Sequence, residues 1–149
     1  MASSMASLDR KRSPISAVAM LTSGDKIFSE IFQAVLQDQL HFHRIIMVQT
    51  LQDVLRHPVV HEPISLALFD REMPGLDNFR SFPVLRKHLG AARLAITSSS
   101  AEKRDIILAL ESGAHGYLLK TVNLAEIKRA LELVINGGIY VPAGLADLD

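Results

Sequence analysis

A chain of 149 residues is long enough for one domain with a substantial core, and 48% apolar with 21% charged residues is a globular make-up rather than that of a disordered tail or a membrane protein. With 16 Lys and Arg against 16 Asp and Glu the net charge is zero, so the chain lacks the clustered positive charge with which a protein grips nucleic acid. There is no cysteine, which excludes disulfides, a thiolate nucleophile and cysteine-ligated zinc, and is compatible with a reducing cytoplasm.

The first stretch, MASSMASLDRKRSP (1–14), repeats Met-Ala-Ser, is polar and has no periodicity; it is expected to be a flexible arm or in part a cloning remnant. Arg10-Lys11-Arg12 before ISAVAML imitates a secretory signal, but the apolar run is short and no clear cleavage site follows. Ile15 to Leu21 reads instead as a first strand buried on both faces, broken by Thr22-Ser23-Gly24. From Asp25, the apolar residues Phe28, Ile31, Phe32, Val35 and Leu36 recur at threes and fours and predict a helix. The β-branched run after Arg44 predicts a second strand, and Leu51 to Arg56 a short helix closed by Pro58. Ser65 to Phe69 is the third strand, ending at Asp70, and the segment from Asn78 to Leu89 the third helix. Arg93 to Thr97 is the fourth strand. Ala101 to Ser112 is the fourth helix, ended by Gly113 in a left-handed cap. Gly116 to Leu119 makes the fifth strand, and Asn123 caps a last helix that stops at Gly137-Gly138.

Five strands alternating with five helices predict an α/β fold, a doubly wound five-stranded parallel sheet with helices on both faces. Ligands in such sheets bind beyond the carboxyl ends of the strands, at a topological switch point. Ser23, Asp70 and Thr97 stand at those ends, and Lys120 follows the fifth strand there.

Three segments carry a resemblance: FDREMPGLDN after the third strand, LAITSSS after the fourth, and ESGAHGYLLKTVNLAEIKRALELVINGGIYVP through the end. In this order and spacing the chain resembles a CheY-like response-regulator receiver domain, most like the NarL/LuxR-type subgroup, over roughly residues 15–142. The resemblance implies that Asp70 holds the phospho-acceptor position, served by a histidine kinase or a small phosphodonor. It implies that Thr97 is the switch hydroxyl, Lys120 the lysine that pairs with the phosphoryl charge, and Tyr117 the aromatic that turns inward when the switch is thrown. The backbone carbonyl of Glu72 would complete a magnesium site. Such residue types suit phosphoryl transfer, which asks mainly for positioning and for neutralisation of charge.

One departure stands out. Receivers of this kind carry an acidic pair after the first strand, and buried residues of the next helix lie four, seven, eight and eleven positions beyond the second acid. Counted from Gly24 these are Phe28, Ile31, Phe32 and Val35; counted from Asp25 they include Ser29 and Gln33. Ser23 and Gly24 therefore fall at the acidic-pair positions, and neither offers a carboxylate. The expectation is an atypical receiver with no resident cofactor, in which magnesium binds weakly, through Asp70 with Asp25 or the Glu72 carbonyl, or does not bind. A milder departure is Thr121 after Lys120, where many receivers have proline and this subgroup often does not.

The reading that follows is a cytoplasmic, non-enzymatic, non-membrane signalling domain that partners a histidine kinase or another regulatory protein. It is expected to homodimerise and to reach DNA only through a helix-turn-helix domain absent from this chain, with 143–149 as the start of a linker or tail. The alternative is a stand-alone pseudo-receiver acting as an interaction or dimerisation module. A remote alternative is an aspartate-nucleophile phosphohydrolase of the haloacid dehalogenase kind, but its acid/base aspartate two residues on is here Glu72. His41, His43, His57 and His61 are expected to be solvated rather than metal-bound. Ser98 to Ser100 reads as the loop and N-cap before the fourth helix, with no base to activate a hydroxyl.

Overall fold

The computed structural model describes residues 17–22, 24–121 and 123–143. The expected arm over 1–14, Ser23 and residues 144–149 lie outside them. In chain order the elements are β1 (Val18–Thr22), α1 (Lys26–Ala34) running into a π-helical turn (Val35–Gln39), β2 (Arg44–Val48), α2 (Leu51–Arg56), β3 (Leu66–Asp70), α3 (Phe82–Leu89), β4 (Arg93–Ser98), α4 (Lys103–Glu111), β5 (Gly116–Leu119) and α5 (Leu124–Ile135). The strands form one sheet in the order β2-β1-β3-β4-β5, every pair parallel, as the alternation of elements predicts. Among the described residues no helix is long and apolar enough to cross a membrane.

The central strands β1 and β3 are buried at every position, which is why they read as unbroken apolar runs. Their side chains nevertheless alternate between two cores. Val18, Met20, Ala67, Phe69, Leu94, Ile96 and Tyr117 pack with the inner faces of α2, α3 and α4. Ala19, Leu21, Leu66, Leu68, Ala95 and Leu118 pack with α1 and α5. The next positions in this second row are Asp70 and Thr97, which are directly paired across β3 and β4. Two-residue periodicity thus places both on the α1/α5 side of the sheet, just past the core.

Several local expectations change. The apolar stripe of α1 is less regular than predicted, since Ser29 is buried while Phe28 and Ile31 are only partly so. The Ser29 hydroxyl donates to the Lys26 carbonyl at 3.0 Å, so its burial strands no polar group. That exception makes the stripe a weaker ruler for the acidic-pair positions.

The third helix begins at Phe82, not Asn78, because Asp77, Asn78 and Phe79 all have left-handed backbones (φ 53°, 53° and 68°). This turn drives Leu76 and Phe79 into the core, and Pro83 suits only the first turn of the helix that follows. The fourth helix starts at Lys103 with Glu102 as its N-cap, while Ser98 belongs to β4; the serine triplet supplies no N-cap residue. His57 is not solvated. It is 9% exposed, and its Nε2 lies 2.7 Å from the Glu62 carbonyl.

Gly75 closes the turn after β3 at φ +97°, and a Cβ there would lie 2.6 Å from the Leu51 Cβ at the start of α2. Gly75→Ala should lower stability by about 1–3 kcal/mol, read as the urea midpoint, because backbone strain and clash add. At the opposite end of the sheet His115 Nδ1 accepts the Leu94 N–H at 3.0 Å. Burial, with Arg93 and Arg86 nearby, depresses this imidazole to about 4. An unfolded imidazole titrates near pH ~6.5, so between these values the unfolded chain binds more protons and stability falls as the pH is lowered. His115→Asn keeps an acceptor for Leu94 without titrating, and should flatten the decline of the melting temperature between pH ~6.5 and ~4 relative to the parent.

Candidate functional site

In this strand order the chain reverses its winding direction between β1 and β3, and the crevice of such a sheet opens beyond the carboxyl ends of those two strands. A cleft of about 230 Å³ lies there, lined by Thr22, Gly24, Asp25, Asp70, Glu72 and Lys120 among others. Asp70 stands at its floor, 9% exposed as a residue.

A carboxylate at that depth needs partners, since desolvating an unpaired charge is costly. One oxygen, Oδ1, accepts the backbone N–H of Glu72 at 2.8 Å. The other, Oδ2, is in contact with the Lys120 ammonium, and both side chains are largely shielded from water. Lys120 reaches Asp70 because β5 ends next to β4, two strands from β3, and its backbone N–H donates to the Ser98 carbonyl at 2.9 Å. The Asp70 backbone is fixed as well. β1 pairs with β3 only as far as Leu68, and beyond it the Thr22 hydroxyl accepts the Asp70 N–H at 3.1 Å.

Thr97 lies beside Asp70 in the ladder, buried, with its carbonyl accepting the Arg71 N–H at 2.9 Å. Tyr117 belongs to the other face. It is fully buried among the residues under α4, and its hydroxyl donates to the Ser100 carbonyl at 2.8 Å. Burial pushes the phenol above its ordinary range.

Asp25 lines the cleft, yet its Oδ1 accepts the Phe28 N–H at 3.2 Å as the N-cap of α1. Glu72 turns its carboxylate outward, 83% exposed and 3.5 Å from Arg71. Gly24 faces open space, with nothing within 4 Å of where a Cβ would stand. Among the described residues no group of three or more His, Asp or Glu side chains converges as a metal site. Magnesium prefers an octahedron of hard oxygens and usually takes one or two carboxylates plus phosphate oxygens and waters. Asp70 and Asp25 are the acids at hand, and each already accepts a hydrogen bond.

The structure thus brings Asp70, Thr97 and Lys120 to one end of the sheet with Gly24, Asp25 and Glu72, and sets Tyr117 across it. Four contributors escaped the sequence reading: Thr22, Arg71, Ser100 and Asp105. Thr22 was legible only as a break after the first strand. Arg71 stood in plain view after Asp70, but its partner Asp105 is 34 residues away, and no local spacing links them.

A family model described as the response regulator receiver domain matches residues 19–132. The chain is 24% identical over 123 residues to the glycerol metabolism activator of Pseudomonas putida, covering 83% of this chain and 56% of that protein. It is 31% identical over 81 residues to the nitrate/nitrite response regulator protein NarL of Escherichia coli (strain K12), covering 54% of this chain and 38% of that protein. The chain therefore spans about half, or less, of the length of these relatives. Among solved structures, a LuxR family DNA-binding response regulator from Silicibacter pomeroyi superposes with a TM-score of 0.71 at 21% identity, over 86% of this chain and 98% of that one. At that identity the likeness speaks for the fold.

The Thr22 hydroxyl accepts a buried N–H at the strand end, and valine keeps its shape. Thr22→Val should cost about 1–3 kcal/mol in chemical denaturation, the penalty for leaving a buried donor unpaired.

Proposed function

The chain belongs to the response regulator receiver domain family, and on that premise we propose that it is an atypical receiver whose magnesium-dependent phosphorylation at Asp70 is impaired or lost. It is the receiver domain of a two-component response regulator with LuxR-family relatives, and receivers of this family are regulatory modules rather than enzymes.

One observation carries the finer reading. The cleft offers Asp70 a matched cation in Lys120, but open space at Gly24 and a capping role for Asp25 where a hard cation would need further carboxylates. A phosphoryl group arriving at Asp70 would have to displace the Glu72 N–H or the Lys120 ammonium from the carboxylate oxygens. It would add negative charge that, among the described residues lining the cleft, Lys120 is the cation placed to offset. Lys120 and the Thr97 hydroxyl remain suited to contact such a group. Magnesium is held weakly or not at all in this reading.

The domain acts in the cytoplasm, and its partners are a histidine kinase or another regulatory protein and a second copy of itself. DNA is reached through a helix-turn-helix domain outside this chain, in keeping with the greater length of the relatives. The same self-compensated carboxylate supports a second reading, a stand-alone interaction module that works without phosphorylation.

Intact mass after incubation with Mg²⁺ and a small phosphodonor tests the proposal. The parent and Asp70→Asn should both gain little or nothing under conditions that modify an ordinary receiver. The double variant Ser23→Asp/Gly24→Asp should gain one phosphoryl group, because the space at Gly24 admits a side chain. Full modification of the parent, lost in Asp70→Asn, would refute the proposal.

A further inference from the structure

Arg71 follows the acceptor-position aspartate directly, yet its side chain leaves the cleft. Its Nη2 donates to Asp105 Oδ1 at 3.0 Å, in the first turn of α4, and to Asn78 Oδ1 at 3.2 Å. The guanidinium lies over the Phe79 ring, 5.8 Å from its centroid. The Arg71 and Asp105 side chains are only 22% and 15% exposed, so salt screens their attraction less than it would a surface pair.

Asp105 passes the constraint on. Its Oδ2 accepts the Ser100 hydroxyl at 2.5 Å, and Ser100 sits in the loop between β4 and α4. Glu102, the N-cap of α4, makes no side-chain cap bond. What holds the loop instead is Ser100: its hydroxyl also accepts the Glu102 N–H at 3.3 Å, and its own N–H donates to Ser98 Oγ at 3.0 Å. The Ser100 carbonyl, so positioned, receives the hydroxyl of the fully buried Tyr117 at 2.8 Å. A continuous line of polar contacts therefore runs from the residue after Asp70, over the end of β4, to a tyrosine on the opposite face of the sheet.

The geometry points to a latch: the Arg71–Asp105 ion pair holds the β4–α4 loop where Ser100 can accept the Tyr117 hydroxyl, and so keeps Tyr117 buried. By this device the α4/β5 surface is held in one arrangement by contacts internal to the chain. The latch rests on contacts within the chain and does not depend on whether Asp70 accepts a phosphoryl group, so it goes beyond the function proposed above. Without the pair, the buried phenol would depend on a loop lacking its main tether. A tyrosine hydroxyl that loses an acceptor in a core is costly, and what remains to it is the Ser98 side chain on β4 or solvent.

The chain has two tyrosines and no tryptophan, so Tyr140→Phe leaves Tyr117 as the reporting fluorophore. In that background, with intact mass confirming that Asp70 is unmodified, acrylamide quenching of tyrosine emission reads the exposure of Tyr117. The expected result is strong protection in the Tyr140→Phe protein. Quenching should rise several-fold in Arg71→Ala and Asp105→Ala, and the double variant should show no further rise, since either single change opens the same latch. Each variant is followed by far-UV circular dichroism and thermal melting. If an alanine variant does not fold, Asp105→Asn, which keeps the shape and removes the charge, is judged by the same criterion. Free-tyrosine quenching before any latch residue is changed would overturn the inference, as would continued protection in the folded variants.

Discussion

The charge of Asp70 is the constraint around which this end of the molecule is arranged. A carboxylate only 12% exposed at the end of a buried strand must be answered by donors and by positive charge, one supplied by the next turn and the other by a segment 50 residues on. The Glu72 N–H answers one oxygen through the tight turn that follows β3, and Lys120 answers the other from the end of β5. Neither would be in reach without the parallel sheet, whose β3-β4-β5 order lays three strand ends side by side. Both oxygens of Asp70 thus find a partner within the chain itself.

Holding Asp70 in place sets demands on the chain around it. Thr22 takes over from the β1–β3 ladder and caps the Asp70 N–H. The turn after β3 then has to pass through three consecutive left-handed residues, which costs about 1–2 kcal/mol each for side chains with a Cβ. Burial of Leu76 and Phe79, worth about 1.5–3 kcal/mol apiece, offsets that strain, and the edge-on contact of Phe79 with Phe82 fixes where α3 starts. Gly75 serves the same turn by letting the backbone lie against Leu51.

Both faces of the sheet are engaged at the site, though by different residues. Asp70 and Thr97 continue the row of side chains that packs under α1 and α5, while Tyr117 belongs to the row under α4. Backbone alternation alone would keep these two groups independent. Arg71 connects them, because it takes its main-chain position from Asp70 and spends its side chain on α4. The cleft end of β3 and the surface around α4 and β5 are therefore joined by a small number of named contacts.

Much of the fold was legible in the residues themselves. Short apolar runs bounded by turn formers, alternating with amphipathic stretches, were enough to predict a doubly wound parallel sheet, and the left-handed Gly113 and the Asn123 cap lie where expected. Local chemistry is written locally, so strands, most helices and the strand-end position of Asp70 could be read from neighbours in sequence. The serine triplet, His57 and the start of α3 were misread because packing overrode local preference: a buried Phe79 matters more to the chain than three residues' helical tendency. Sequence by itself determined that a carboxylate, a hydroxyl and a lysine would stand at the ends of neighbouring strands. Only the tertiary structure decided what they touch: Lys120 on Asp70, Thr22 on its backbone, and Arg71 turned away toward Asp105. The physical reason is that these contacts join residues 34 to 50 positions apart, and such distances close through the packing of the sheet and its helices, not through any periodicity along the chain.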